Sequence, residues 1–205
     1  MSKLEILEKH LESSLNKYNI EICINLKTIH IKCEKKHIIN VIKFLKEDNN
    51  CLFSQLIDVT AVDYINKKQR FEIIYILLSH KYNTRLLLKT TISENENINS
   101  ICNIFPSANW YERECYDLFG VIFDEHPDLR RIMTDYNFVG HPLRKDFPLT
   151  GHTEVRYDNL QKKVIYEPVK LQQEYRNFDY ASPWEGFSKE FINKDNLSDI
   201  DNGSE

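Results

Sequence analysis

The sequence predicts an α+β two-layer sandwich with a mixed sheet, in the order α-ββ-α-βββ, followed by a C-terminal helix and a long extended arm. Three observations predict it. Leucines at positions 4, 7, 11 and 15 recur at helical spacing near the start. Strict apolar alternation then appears in paired runs, which is the period of strands with one buried face. Helices and strands do not alternate one for one, which argues against a doubly wound sheet.

Each element has its own signal. Ser2 with Glu5 three residues on forms a capping box ahead of the leucine stripe. Ile20, Ile22, Ile24 and Leu26, then Ile29, Ile31 and Cys33, alternate as the two strands of a hairpin. Residues 35–47 place Ile38, Val41, Ile42 and Leu45 on one helical face and end at Asp48-Asn49-Asn50. Three strands follow at about 51–64, 71–79 and 85–92, separated by the polar turns 66–69 and 80–83. A loop at 93–100 leads to a short helical piece ending near Pro106. A helix over 109–119 follows, with Gly120 as its left-handed terminator.

Beyond Gly120 the character changes. Prolines at 127, 142, 148, 168 and 183 punctuate a stretch that keeps Phe138, Phe147, Tyr157, Tyr166, Tyr175, Phe178, Tyr180 and Trp184. A water-exposed linker would not retain so many aromatics, so the arm is expected to lie along a protein surface. The expected division is therefore a core domain at 1–120, an extended docking arm at 121–187 and an acidic, disordered tail at 188–205.

Composition removes whole classes of function. A net charge of −4 gives no general attraction for nucleic acid. The longest apolar run, Ile73–Leu78, is far short of the roughly 20 residues that span a bilayer. Residues 1–14 mix Glu5, Glu8 and Glu12 with lysines and have no long apolar centre. They read as neither secretory signal nor transit peptide, and the chain is expected to work where it is made. Cys23, Cys33, Cys51, Cys102 and Cys115 form no C-x-x-C pair, so they read as reduced, mostly buried thiols. Only five glycines occur, and no phosphate-cradling glycine motif is among them.

The stretch from Trp110 to Gly151 is the densest in charge and aromatics. On a helix, Glu114 shares a face with Trp110 and Leu118, while Arg113 lies over Asp117 at i, i+4. A carboxylate on an apolar stripe needs a partner or a raised pKa. Its readings are a proton-handling acid or a carboxylate paired with Arg130, Arg131 or Arg144, and bidentate pairing is the commoner solution. Asp124, His126 and Asp128, with His141 and His152 nearby, invite a metal reading. Pro127 breaks any helical ligand face there, and the spacing matches no zinc motif. Arg130, Arg131, Arg144 and Lys145 are interleaved with Asp128, Asp135 and Asp146, leaving little field for phosphate. Cys115 lies mid-helix with no histidine beside it, so a buried thiol is favoured over a nucleophile.

These residues also carry a resemblance. Glu112-Arg113-Glu114-x-x-Asp117-Leu118-Phe119, then His126 and Arg130-Arg131-Ile132-Met133, resemble the signature of the thirty-kilodalton-type subunit of proton-pumping NADH:quinone oxidoreductase (respiratory complex I). The likeness continues through Asp135-Tyr136, the block 140–151 with His141, Arg144, Lys145 and Asp146, and the blocks 166–169, 176–179 and 182–185. Two positions depart from the pattern: Glu125 stands where glycine is frequent, and Asn137 where glycine often follows Asp-Tyr. Asparagine tolerates the left-handed conformation, whereas Glu125 suggests a remodelled turn.

The resemblance implies a scaffold with no catalytic residue and no flavin, iron–sulfur cluster, metal or quinone ligand of its own; FMN and the clusters would belong to partner subunits. It implies packing in the peripheral arm against other complex I subunits, chiefly the quinone-reactive one and those that bear the clusters. That places the chain on the cytoplasmic face of the bacterial inner membrane, or the matrix side in an organelle, touching membrane only through the complex. Glu112, Glu114, Asp117, Arg130 and Arg131 are expected to form an ionic scaffold fixing the arm's departure. The alternatives are the equivalent subunit of a membrane-bound hydrogenase-type complex and a stand-alone metal enzyme using His126 and Glu114.

Overall fold

The computed structural model describes residues 3–173. The capping serine at position 2, the arm beyond residue 173 and the acidic tail lie outside the described residues. The chain divides after Gly151 into two compact units, described over residues 3–151 and 152–173.

In the first unit, helix α1 (Lys3–Leu15) buries Leu7, Leu11 and Leu15. Strands β1 (Glu21–Asn25) and β2 (Thr28–Lys32) form an antiparallel hairpin. Its two-residue loop is Leu26-Lys27, both left-handed at φ 46° and 63°. Leu26 therefore sits exposed at the turn instead of continuing the alternating row. Non-glycine residues here carry the strain that Asn-Gly would avoid. Helix α2 (Ile38–Glu47) follows one 3-10 turn and buries Ile38, Val41, Ile42 and Leu45, the predicted face.

Strands β3 (Gln55–Asp63), β4 (Phe71–Ser79) and β5 (Thr84–Ile92) complete the sheet. The sheet runs β1-β2-β5-β4-β3, with β2 parallel to β5 and every other pair antiparallel. The first of these strands begins at Gln55, later than the alternation suggested, because 51–54 close the turn after α2. Burial alternates strictly along β4: Phe71, Ile73, Tyr75, Leu77 and Ser79 point inward. Only this face is buried, and the helices' apolar stripes join it in one core. Such alternation marks a sheet covered on one side.

After β6 (Ile98–Asn99) comes helix α3 (Ala108–Phe119), then β7 (Phe123–Asp124), which pairs parallel with β6. The second unit holds a structure that the sequence pattern did not predict. Strands β8 (Thr153–Asp158) and β9 (Lys163–Pro168) form an antiparallel hairpin within the stretch expected to be an extended arm. Register sets Val155 opposite Tyr166 and Tyr157 opposite Val164 on one face. Glu154, Arg156 and Asp158 take the other.

Candidate functional site

Helix α3 organises the site because its buried stripe carries acids as well as apolar groups. Ala108, Glu112, Cys115 and Phe119 recur at helical spacing against the sheet, and Asp117 is buried beside them. This stripe is not the one expected. Trp110 is 67 % exposed, and Glu114 is exposed with no ion pair among the described residues, so the apolar-stripe argument applies to Glu112 instead. Cys115 is a buried thiol whose Sγ donates to the Val59 carbonyl at 3.2 Å, and burial pushes its pKa far up.

Glu112 finds no arginine among the described residues. Its carboxylate accepts from Ser100 Oγ at 2.6 Å, the Ile101 amide at 2.8 Å and Cys102 Sγ at 3.4 Å. Burial raises its pKa, and these donors oppose the rise. Glu112 thus holds the 100–102 turn onto α3. The His126 side chain, also buried, has its Nε2 3.9 Å from Glu112, but both ring nitrogens are committed. Nδ1 accepts from the Asp128 amide at 3.1 Å, which leaves Nε2 to donate to the Asn109 carbonyl at 3.1 Å. Cys102, Glu112 and His126 lie close enough to suggest a metal cluster, yet the histidine has no lone pair to give.

Asp117 is the centre of the first clamp. Oδ2 accepts three successive backbone amides, Ile132 at 3.0 Å, Met133 at 2.7 Å and Thr134 at 2.8 Å. Oδ1 takes Arg131 Nη1 at 2.7 Å and Thr134 Oγ1 at 2.6 Å. Consecutive amides converging on one anion form a nest. Burial alone would raise the carboxyl's pKa, but Thr134, Met133 and Arg131 together hold it well below the usual range. Arg131 also donates to the Gly140 carbonyl at 3.0 Å. Arg113 does not pair with Asp117; it donates to the carbonyls of Arg130 and Arg131 at 3.0 and 3.2 Å. Among the described residues the Arg130 side chain pairs only with Asp128, at the surface.

The last carbonyls of α3 are the second element. A helix leaves its final carbonyls without partners. Here Tyr116 accepts from the Gly120 amide at 2.9 Å and Leu118 from the Leu143 amide at 3.0 Å. Asp117 and Phe119 accept from His141 Nδ1 at 2.9 Å and Arg144 Nε at 2.6 Å. The Arg144 cation also sits at the negative end of the helix dipole. Gly120 is left-handed at φ 77°, as expected, and a Cβ there would lie 2.5 Å from Arg144 and 2.7 Å from His141. Burial lowers the His141 pKa, helped by Arg144 and Arg131, so the ring stays neutral and donates through Nδ1.

A second clamp was not foreseen. Asp63, fully buried at the end of β3, receives Arg70 Nε at 2.8 Å, Arg70 Nη2 at 2.9 Å and the Lys145 amide at 2.8 Å. Arg70 continues to Asp146 at 2.8 Å and to Glu94 at 3.1 Å, and Glu94 also binds Arg144 at 2.9 Å. Both guanidiniums lie close to the Phe71 ring centre, at 5.3 and 5.2 Å. The bidentate Arg70 pair, with the Lys145 amide, holds Asp63's pKa down. The signal existed: Val59, Ala61 and Asp63 share the inward register of β3, so an acid there requires a partner.

The two departures from the expected pattern behave oppositely. Glu125 takes the left-handed conformation at φ 62°, so the turn keeps its glycine-type shape with a glutamate in it. Asn137 is not left-handed. Glu125→Gly is therefore expected to stabilise the protein by about 1 kcal/mol, by relieving left-handed strain; thermal melting of the full chain measures it. Asp135, exposed, closes a turn through its carbonyl and the Phe138 amide. The site thus fastens residues 126–147 to α3 and the sheet.

Comparison with known proteins agrees with this geometry. Residues 31–153 match the family described as "Respiratory-chain NADH dehydrogenase, 30 Kd subunit". An NADH-quinone oxidoreductase subunit of Roseobacter denitrificans is 54 % identical over 160 residues, 78 % of this chain and 80 % of that protein. The corresponding NADH-quinone oxidoreductase subunit of Hyphomonas neptunium is 49 % identical over 185 residues, covering 90 % and 92 % of the two chains. A solved chain from the archaeal membrane-bound sulfane sulfur reductase, a respiratory membrane complex, superposes with a TM-score of 0.61 at 27 % identity. It covers 71 % of this chain and 85 % of its own. No described helix is long and apolar enough to cross a membrane. The matched stretch contains both clamps and the capped end of α3, and the chain belongs to the 30 Kd subunit family of the respiratory-chain NADH dehydrogenase.

Proposed function

We propose that this chain is a non-catalytic scaffold subunit in the peripheral arm of NADH:quinone oxidoreductase. Electrons pass from NADH through FMN and iron–sulfur clusters held by partner subunits to quinone, coupled to proton translocation. The observation that carries this reading is the contrast around residues 126–147. Two ionic clamps fix the backbone, while Met133 (62 % exposed), Tyr136 (82 %) and Val139 (81 %) stand in solvent. Rigid backbone with exposed aromatic and apolar side chains is suited to docking, because little conformational entropy is lost on association. Trp110 and Leu149 extend the same character along the stretch.

The quinone-reactive subunit and the cluster-bearing subunits are the partners this reading names, on the cytoplasmic face of the membrane. The β8–β9 hairpin adds a second contact. Val155, Tyr157, Val164 and Tyr166 are all more than half exposed on one face. An isolated two-stranded hairpin is marginal in water and gains from a covering surface. Identity near half the residues to NADH-quinone oxidoreductase subunits, against 27 % to the sulfane sulfur reductase chain, favours the quinone enzyme over a hydrogenase-type assembly. The stand-alone metal enzyme loses its ligand, since His126 has both nitrogens engaged.

Truncation after Gly151 tests the docking role. The first compact unit is expected to stay folded, while assembled complex in the membrane falls sharply on native gels and NADH-dependent quinone reduction falls with it. Wild-type levels of assembled, active complex after that truncation refute the proposal.

A further inference from the structure

A second group of chemistry-bearing side chains lies away from the clamps. His10 projects from the middle of α1, Asp48 is the residue that ends α2, and Cys51 follows in the turn. His10 Nε2 stands 3.0 Å from Asp48 Oδ1, and His10 nitrogen, Asp48 oxygen and Cys51 sulfur all lie within 4.8 Å of one another. We infer that His10, Asp48 and Cys51 form a binding site for a thiophilic divalent cation, with zinc as the matching ion.

The geometry requires little movement. Zinc binds nitrogen and oxygen at about 2.0–2.2 Å and sulfur at about 2.3 Å, so its tetrahedral donors stand roughly 3.3–3.8 Å apart. The set offers one imidazole, one carboxylate and one thiolate. Thiolate and imidazole select zinc-like ions over magnesium or calcium, which prefer oxygen.

Each donor is held from behind. The His10 ring stacks against Phe44 with centroids 6.3 Å apart. Asp48 Oδ1 accepts the Asn50 amide at 2.9 Å. The turn carrying Cys51 is closed by its amide on the Asp48 carbonyl at 3.0 Å and by the Leu52 amide at 2.8 Å. Oriented donors of this kind raise metal affinity. His10 and Asp48 are 26 % and 20 % exposed, which leaves an entry path, while Cys51 forms the buried floor.

The contrast with Cys102, Glu112 and His126 is informative. There both histidine nitrogens and the carboxylate are taken by backbone and hydroxyl partners. At His10, Nε2 meets Asp48 Oδ1 and no backbone group among the described residues, and that oxygen has a second lone pair, so it keeps the Asn50 amide while it binds an ion. On binding, the Cys51 thiol proton leaves to solvent and sulfur bonds the ion. The His10 ring proton moves to Nδ1, and Asp48 binds as the carboxylate, so a single proton is released. Three protein donors leave the fourth position to water. The consequence is a clip between α1 and the end of α2.

The test uses the reduced full chain, stripped with chelator and titrated with zinc alone, then with cobalt(II) as a spectroscopic substitute. One ion is expected to bind, with one proton released and a thiolate-to-cobalt charge-transfer band. Melting temperature should rise with zinc. Cys51→Ser and His10→Gln should each weaken zinc binding by about 100-fold, and Cys51→Ser should abolish the band. Cys23→Ser and Cys102→Ser should change neither. His10→Gln alters a part-exposed position and keeps the test valid if Cys51→Ser disturbs folding. Unchanged affinity in His10→Gln, a band lost in Cys23→Ser instead, or no zinc retained by the wild-type chain would each overturn the assignment.

Discussion

Asp117→Asn is expected to lower folding stability by about 3–5 kcal/mol, the range for breaking one member of a buried charged network. The substitution keeps size and shape and changes only charge and one hydrogen-bonding pattern. Oδ2 accepts three backbone amides and Oδ1 accepts Arg131 and Thr134. An asparagine NH2 cannot accept, so whichever way the amide turns it sets donors against donors. Arg131, 18 % exposed, also loses its counter-charge. Urea denaturation should show a lower midpoint with an unchanged slope.

The pH dependence carries the same signature. Asp117, Asp63 and Asp146 all have pKa values depressed in the folded state. A depressed carboxylate stabilises above its unfolded value, near 3.9, and that stabilisation is lost as pH falls through the folded value. The gap between wild type and Asp117→Asn should therefore be full at pH 7 and narrow only below about pH 4. Glu114→Gln on the exposed side of the same helix should leave stability essentially unchanged. Equal losses in the two variants would sink the distinction between the faces of α3.

The elements legible in the sequence are those whose signal is periodic. The row Phe71, Ile73, Tyr75 and Leu77 announces a one-faced strand, and Ile38, Val41, Ile42 and Leu45 announce a helix, because burial acts at fixed spacing. Gly120 was legible because a helix end requires a left-handed residue. The pairing of charges was less so. Asp117 pairs with Arg131, but Glu112 turned to backbone and hydroxyl donors and Glu114 is exposed. Phase along α3 decides this: a stripe through Trp110, Glu114 and Leu118 is as helical as one through Glu112, Cys115 and Phe119. Only the sheet beneath picks between them.

Asp63 and Asp146, the first and last residues of the second clamp, lie 83 positions apart, and no local pattern reports such a pairing. Its trace was a single acid in an inward register. The β8–β9 hairpin was masked differently. Its alternation of Val155 and Tyr157 with Val164 and Tyr166 was present, but interleaved charges and flanking prolines resembled an irregular arm.

Gly120→Ala should be the most damaging change that adds a single carbon. The left-handed backbone at φ 77° costs an alanine about 1–2 kcal/mol. The larger effect is contact, since the new Cβ would stand 2.5 Å from Arg144 Nη2 and 2.7 Å from the His141 ring. Arg144 ends in a flexible guanidinium and can swing, but then the Phe119 carbonyl loses its donor and Glu94 its partner. His141 can withdraw only by releasing the Asp117 carbonyl. Each abandoned helix-end carbonyl costs about 1–3 kcal/mol where burial denies it water. The total is expected to exceed about 3 kcal/mol. Gly140 provides the control: it is also left-handed, at φ 95°, but its added Cβ meets Phe147 at a looser 3.0 Å. Gly140→Ala should therefore show strain without the loss of helix-end caps. In the double variant Gly120→Ala with Arg144→Ala, the two losses should fall short of their sum, because both remove the same cap. Full additivity in that cycle would place the damage elsewhere and separate Gly120 from the fastening of residues 141–147.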